Sequence, residues 1–110
     1  MSSATNTTTN NTTEKSIEQR LVRAVKSAGG LAIKLTSGGG LPDRLLLFPP
    51  VTPGGEGRAV FVETKAPHQK PRLLQTIRHE ELRKLGFDVY VVDSIAGVDE
   101  VVEKYGKEDT

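Results

Sequence analysis

The residues with the clearest chemical content are Glu63-Thr64-Lys65, which end an apolar stretch that begins at Arg58. Successive side chains of a strand alternate between its two faces, so Glu63 and Lys65 share one face. Two charged groups at the end of a buried strand are costly unless they have partners. The ordinary alternative is a Glu/Lys pair at the point where a strand enters solvent. A second carboxylate beside this pair would favour a functional site.

Asp43 is the residue that supplies this second carboxylate. The apolar runs 44–48 and 58–64 flank a loop rich in Pro and Gly, and together they predict a hairpin. If the hairpin folds symmetrically about Pro53, Asp43 faces Glu63 at a Cβ separation of roughly 4.5–5.5 Å. Two facing carboxylates repel each other, and Mg²⁺, which proteins hold through one or two carboxylates, removes that repulsion. The register therefore predicts a divalent metal site.

The elements that position these residues follow from periodicity and from the Gly and Pro positions. Helix one begins near residues 14–16, with Ser16 and Gln19 as its capping box, and stops at residues 29–30. The predicted strands cover residues 31–35, 44–48, 58–64 and 87–92. The order α-β-β-β-α-β-α predicts an α/β class fold with a mixed sheet.

Two further helices complete the prediction. The second covers residues 72–85, and its inward side chains are predicted to be Leu74, Ile77, Leu82 and Leu85. The terminal helix presents Val98, Val101, Val102 and Tyr105 on one face and is closed by Gly106. His68 and His79 are predicted to be surface or helix residues rather than ligands.

Composition limits the function further. The 110 residues contain no Cys and two His, which excludes disulfide scaffolds, thiol catalysis and Cys-based zinc sites. No apolar run could span a bilayer and the N-terminus has no signal-peptide pattern, so we expect a cytoplasmic protein that does not bind membranes. The length predicts one domain over 14–110, preceded by a disordered polar tail over 1–13. The triple glycine at 38–40 is not a P-loop, because no Gly-Lys-Ser/Thr follows it.

Charge is distributed unevenly along the chain. Residues 65–85 carry 6 Lys/Arg against 2 Asp/Glu, whereas residues 86–110 carry 2 against 7. A basic middle segment suggests a local anionic partner, and ordinary solvated helix charge is the alternative. The predicted DNA phosphate contacts are Lys34, Lys70, Arg72 and Arg78, with Arg83 and Lys84 as further members.

Together these motifs resemble the VRR-NUC family of the PD-(D/E)XK nuclease superfamily. The resemblance rests on Gly40-Leu41-Pro42-Asp43, on Glu63-Thr64-Lys65 about twenty residues later, and on Gln75 and Glu18 on the flanking helices. It spans residues 14–94, and the order of elements matches the restriction-endonuclease-like α-β-β-β-α-β core followed by a C-terminal helix. The family's small stand-alone members resemble phage or prophage proteins.

The resemblance implies a role for each of these residues. Asp43, Glu63 and the Thr64 backbone carbonyl would bind the catalytic Mg²⁺ or Mn²⁺, and Lys65 would orient or deprotonate the attacking water. Glu18 would complete the metal shell, often through water, with Glu14 as a competing candidate one turn earlier. Gln75 would support the site or contact the substrate.

The function expected from this resemblance is metal-dependent endonuclease activity on branched DNA such as Holliday junctions. A catalytically silent nucleic-acid-binding module is the alternative, and a protein–protein adaptor built on the acidic C-terminal helix is a third. A homodimer is expected because paired cuts need two sites. Strand four (87–92) and the terminal helix also offer apolar surface for it, unless that helix simply covers its own sheet.

Overall fold

The computed structural model describes residues 12–36 and 38–106. Most of the predicted polar tail, Ser37 of the glycine loop and residues 107–110 lie outside the described residues. Of the predicted tail, Thr12 and Thr13 are described, and Thr13 belongs to the folded domain because it caps the first helix. In the described ranges no helix has the length and apolar character needed to cross a membrane.

The chain forms three helices and four strands in the predicted order. The helices are α1 (Glu14–Ser27), α2 (Leu73–Lys84) and α3 (Ile95–Tyr105). The strands are β1 (Leu31–Lys34), β2 (Arg44–Phe48), β3 (Arg58–Thr64) and β4 (Asp88–Val92). The fold-class prediction is confirmed, and the boundaries differ from the predicted ones by one or two residues at some ends.

The cap of α1 differs from the predicted one. Thr13, not Ser16, is the N-cap residue, and its Oγ1 accepts a hydrogen bond from the Ser16 amide at 3.1 Å. The Ser16 hydroxyl lies 3.0 Å from the Thr13 amide, which donates to it. Serine can take the place of the usual Glu or Gln of a capping box, because its oxygen also reaches the N-cap amide. The predicted Ser16/Gln19 pair was therefore wrong.

The sheet has the order β1-β2-β3-β4, with β3 inside it as predicted. β1, β2 and β3 are antiparallel neighbours, while β4 runs parallel to β3, so the sheet is mixed. The hairpin register pairs Arg44 with Val62 and Phe48 with Arg58, which is the symmetric register predicted about Pro53. Extended by one residue, this register places Asp43 and Glu63 at the same end of the sheet.

The hydrophobic core lies between one sheet face and the helices α1 and α3. It is built from alternate strand residues such as Leu46 and Val60, which pack against Leu21 of α1 and Val98 of α3. The terminal helix therefore covers its own sheet, and the apolar surface expected from it for a dimer is used inside the chain. Of strand four, Val89 and Val92 are buried, whereas Val91 is 37% exposed.

Helix α2 lies on the opposite face of the sheet, against β4, and in an unexpected orientation. Leu74, Ile77 and Leu85 are exposed, so the prediction that they face inward was wrong. Leu82, the fourth predicted inward residue, is partly buried. The side of α2 that is turned inward carries Gln75 and His79, one helical turn apart. In this orientation Gln75 contacts the sheet through a hydrogen bond to Glu63, described below.

Candidate active site

Asp43 lies immediately before β2, and Thr64 of β3 fixes its carboxylate. Asp43 Oδ2 accepts one hydrogen bond from the Thr64 amide at 3.0 Å and another from the Thr64 hydroxyl at 2.8 Å. The Asp43 carbonyl accepts a bond from the Leu35 amide at 2.8 Å, which ties the residue to the chain after β1. Asp43 is thus held from both sides, by the residue that follows β1 and by the last residue of β3.

Glu63 is 2% exposed, and its two carboxylate oxygens have different environments. Oε2 accepts a hydrogen bond from Gln75 Nε2 at 2.7 Å and lies 3.4 Å from Lys65 Nζ. Oε1 is buried and has no hydrogen-bond partner among the residues that the structure describes. A buried carboxylate oxygen without a partner is unfavourable in a protein interior, so Oε1 is a candidate ligand atom for a cation.

Burial raises the pKa of Glu63 above its ordinary range, and the negative charge of Asp43 raises it further. Lys65 and Gln75 act in the opposite direction without cancelling these two effects. The structure therefore contains the carboxylate repulsion that the register predicted. A cation between the two carboxylates would relieve it.

The Gln75 side chain links α2 to this carboxylate at both ends of its amide. Its Oε1 accepts a hydrogen bond from the Arg72 backbone amide at 2.9 Å, while its Nε2 donates to Glu63. The same side chain therefore caps the first turn of α2 and orients a strand residue. Gln75 was predicted to support the site or contact substrate, and its contact with Glu63 fits the first of these roles.

The glycine loop makes this placement of α2 possible. Gly40 has φ +77°, and a Cβ there would lie 2.6 Å from the Leu74 carbonyl oxygen. The backbone of the loop therefore contacts the backbone of α2 closely, which only glycine permits. Arg78 adds a hydrogen bond from Nε to the Gly39 carbonyl at 2.9 Å. The glycine of Gly40-Leu41-Pro42-Asp43 thus serves helix docking as well as the turn.

Glu18 is engaged by basic residues rather than grouped with the other two carboxylates. Its Oε2 lies 2.9 Å from Arg44 Nη2 and 3.2 Å from Lys34 Nζ. Burial opposes its ionisation, but the hydrogen bonds and positive charges of Lys34 and Arg44 together outweigh burial and lower the pKa of Glu18. Within residues 12–36 and 38–106, no three His, Asp or Glu side chains form a metal-binding group. Glu14 is exposed in the first turn of α1.

The two-carboxylate site nevertheless fits a divalent ion of the magnesium type. Such ions are bound through one or two carboxylates and complete their octahedron with water and substrate phosphate. Among the described residues, Glu63 offers a buried oxygen without a partner, and both hydrogen bonds to the Asp43 carboxylate fall on Oδ2, not Oδ1. The donors are all oxygen, the type that Mg²⁺ and Mn²⁺ prefer.

The predicted phosphate contacts differ in how far they are already engaged. Lys34 pairs with Glu18, and Arg78 binds Gly39 and pairs with Glu81 at 2.6 Å. Lys70 and Arg72 are exposed and take part in no ion pair among the described residues. These two side chains are the more available for an anionic ligand.

A basic cavity beside α1 was missed by the sequence analysis. It has a volume of about 560 Å³, and its basic lining residues are Lys15, Arg23 and Arg44. Glu18 also lines this cavity, and Arg44 follows Asp43 directly in the chain. The charge of α1 could have indicated it, because Lys15, Gln19, Val22 and Arg23 share one helical face.

The two histidines have different environments. His68 is exposed and adopts φ 68° in the loop after β3. His79 is 2% exposed, and within residues 12–36 and 38–106 its Nε2 has no hydrogen-bond partner. Burial lowers the pKa of His79, and the charges of Arg83 and Lys65 lower it further. The prediction that His79 is a helix residue holds, but it is a buried one.

Comparison with solved structures adds independent evidence. One described as "VRR_NUC domain" matches the chain with a TM-score of 0.69 and 35% identity, over 86% of this chain and 98% of that one. This chain belongs to the VRR-NUC family. The prediction made from Asp43, Glu63, Lys65 and Gln75 is thereby confirmed at the level of the family.

A phage protein gives the VRR-NUC assignment further support. It is described as "Putative nuclease p44" of Acyrthosiphon pisum secondary endosymbiont phage 1 and is 45% identical over 83 residues. The match covers 74% of this chain and 83% of the phage protein. No family model matches the chain. The chain is thus a nuclease-family protein of mixed α+β fold.

Proposed function

We propose that this chain is a divalent-metal-dependent endodeoxyribonuclease that hydrolyses phosphodiester bonds in branched DNA. Membership of a nuclease family supports the reaction class. The observation that carries the metal dependence is the buried, unpartnered Oε1 of Glu63 beside the charge of Asp43. Repelling carboxylates destabilise an empty site, and a cation converts that cost into binding energy.

Asp43, Glu63 and the Thr64 backbone carbonyl would hold the Mg²⁺ or Mn²⁺ ion. When bound, such an ion supplies a more acidic water and neutralises charge on the scissile phosphate. Glu63 is oriented for this task by Gln75, and Asp43 by Thr64. Glu18 would contribute through water, and its pairing with Arg44 makes this contribution smaller than that of a direct ligand.

Lys65 is the cationic residue of the proposed mechanism. Its ammonium group pairs with Glu63, and the Lys65 side chain is 15% exposed, so it reaches the mouth of the site. As a donor, it would orient the attacking water and offset the charge that develops on the phosphate. The ion pair favours this orienting role over the alternative role of removing a proton from the water.

Phosphate contacts are proposed at Lys70 and Arg72. Lys34 and Arg78 are further proposed contacts, but their side chains already bind Glu18 and Gly39 of the protein itself. Replacing Lys70 and Arg72 by Gln should weaken DNA binding and reduce the salt slope of log affinity by about 1 for each lost contact. Arg20→Gln is the matched control, because Arg20 pairs with Asp99 at 3.0 Å on another surface. If the Lys70 and Arg72 variant has the same salt slope as the wild type, the basic segment does not contact phosphate and is ordinary solvated surface.

Branched DNA and a homodimer belong to the same proposal. One Asp43/Glu63/Lys65 site cuts one strand per encounter, whereas a two-fold junction needs paired cuts, which a C₂ dimer can make. The relative from a phage agrees with a protein that processes replication or recombination intermediates. Exposed apolar side chains supply surface for the second copy, among them Leu74, Ile77, Leu31 and Leu47.

Light scattering at micromolar concentration tests the dimer. Mixing wild-type protein with Asp43→Ala tests its purpose, because mixed dimers should nick a junction without completing the paired cut. Paired symmetric cuts by a monomer would overturn the dimer proposal and leave the nuclease assignment intact.

The experiment that tests the function is incubation with linear, flapped and four-way DNA in Mg²⁺, Mn²⁺ or EDTA. We expect cleavage in either metal, none in EDTA, and the highest rate on the four-way substrate. DNA binding without cleavage in either metal would favour the silent binding module instead. Absence of both binding and cleavage would favour the adaptor.

A further inference from the structure

Thr64 is the middle residue of Glu63-Thr64-Lys65, and its side chain is completely buried. A buried hydroxyl needs a hydrogen-bond partner, and the partner here is Asp43 Oδ2 at 2.8 Å. The Thr64 backbone amide donates to the same oxygen at 3.0 Å. One residue of β3 therefore directs two donors to a single carboxylate oxygen across the end of the sheet.

The Asp43 carboxylate depends on Thr64 more than Glu63 depends on any one residue. In the described ranges, both hydrogen bonds to the Asp43 carboxylate come from Thr64, whereas Glu63 is contacted by Gln75 and Lys65. The bond from the Leu35 amide fixes the backbone carbonyl of Asp43, which lies one residue before β2, but it does not orient the carboxylate. The branched Thr side chain has few rotamers, which keeps its hydroxyl in one position.

We propose that Thr64 is a positioning residue whose hydroxyl orients Asp43 for metal binding. With Oδ2 held by two donors, the carboxylate directs Oδ1 to the metal. This inference rests on the proposed function, and it gives the side chain of Thr64 a role separate from that of its backbone carbonyl. Partners that orient a ligand change metal affinity or activity by about 10–100-fold when they are removed.

The test compares Thr64→Val, Thr64→Ser and Thr64→Ala with the wild type. Valine keeps the shape and loses the hydroxyl, whereas the Ser and Ala variants both lose the methyl group and differ only in the hydroxyl. Thr52→Val is the matched control, because Thr52 is exposed in the loop between β2 and β3. Binding of Mn²⁺ to the protein alone is measured by electron paramagnetic resonance, and the melting temperature without metal is measured alongside.

We expect Thr64→Val and Thr64→Ala to bind Mn²⁺ about 10-fold more weakly or worse, and Thr64→Ser to remain close to the wild type. The loss is expected to be partial, because the backbone amide still donates to Asp43. If Thr64→Val fails to fold, the comparison of Ser with Ala gives the same answer.

Equal Mn²⁺ affinity in the Ser and Ala variants would overturn the role of the hydroxyl. A lower melting temperature in all three variants with unchanged Mn²⁺ affinity would also overturn it, because Thr64 would then serve packing alone. These results leave the nuclease proposal standing. A wild-type protein that binds no Mn²⁺ would instead overturn the metal site itself, and this inference with it.

Discussion

Gln75 of α2 donates a hydrogen bond to Oε2 of Glu63 at 2.7 Å, while the other oxygen of the same carboxylate is buried without a partner in the described part of the chain. A helix side chain thus holds one half of the carboxylate in place and leaves the other half for a ligand. This relationship explains why α2 turns a polar side chain toward the sheet. It also leads to the first prediction.

Gln75→Ala should raise the Mg²⁺ concentration needed for half-maximal cleavage by about 10-fold, because Glu63 loses the donor that orients it. The measurement is a Mg²⁺ titration of the cleavage rate. Thr76→Ala is the control, since Thr76 is the next residue of α2 and bonds only its own helix, at the Arg72 carbonyl. An unchanged titration for Gln75→Ala would show that the contact with Glu63 has no functional role.

Glu63→Gln should raise the melting temperature of the metal-free protein at pH 7 to 8. The pKa of Glu63 in the folded state is raised above its ordinary value of 4.5. The contribution of Glu63 to folding stability is therefore fully present below pH 4.5 and is lost as the pH rises through the folded-state pKa. Glutamine has no ionisable carboxyl group, so the variant avoids this loss of stability. The difference in melting temperature between variant and wild type should therefore vanish near pH 4. Glu56→Gln, in the exposed loop before β3, serves as the control.

Added Mg²⁺ should reverse the order of the two melting temperatures at neutral pH. The wild type gains stability from metal binding, whereas Glu63→Gln gains little because it has lost a ligand. A variant that is less stable than the wild type without metal at every pH would disprove the repulsion between Glu63 and Asp43.

The hairpin shows how far the sequence predicts the site. The symmetric register about Pro53 follows from two apolar runs and a loop, and it correctly brings Asp43 and Glu63 to one end of the sheet. This succeeds because register in a sheet with a buried face is fixed by the alternation of side chains. The family assignment followed from the same residues.

The orientation of α2 could not be predicted in this way. Apolar periodicity favoured Leu74 and Ile77 as inward residues, but the helix turns Gln75 and His79 inward instead. In this orientation α2 bonds Glu63 and approaches Gly40 closely, and both contacts join distant parts of the chain that the periodicity of one helix does not report. The Thr13 cap was missed because it lies in a stretch that composition assigns to a tail.

Gly40→Ala should destabilise the protein by about 1–3 kcal/mol, because the new Cβ would lie 2.6 Å from the Leu74 carbonyl oxygen at a positive φ. The measurement is chemical denaturation without metal. Gly38→Ala is the control from the same loop, where a Cβ would meet no atom within 4 Å. Equal stability of the two variants would mean that Gly40 does not control the docking of α2.

Glu18→Gln should weaken the Mg²⁺ dependence of cleavage less than Asp43→Asn does. Asp43 is a proposed direct ligand, whereas Glu18 is paired with Arg44 and Lys34 and would act through water. Mg²⁺ titrations of both variants provide the comparison. A larger effect for Glu14→Gln than for Glu18→Gln would transfer the α1 role to Glu14.

The most direct test of the proposed active site is single-turnover cleavage of a four-way DNA by wild type, Asp43→Ala, Glu63→Ala and Lys65→Ala in saturating Mg²⁺. Each variant should cut about 100-fold more slowly or worse, because each removes charge that acts on the transition state. Each should still unfold cooperatively, and Glu56→Ala should cut like the wild type. If Asp43→Ala, Glu63→Ala or Lys65→Ala cleaved DNA at the wild-type rate, the assignment of the site would be contradicted.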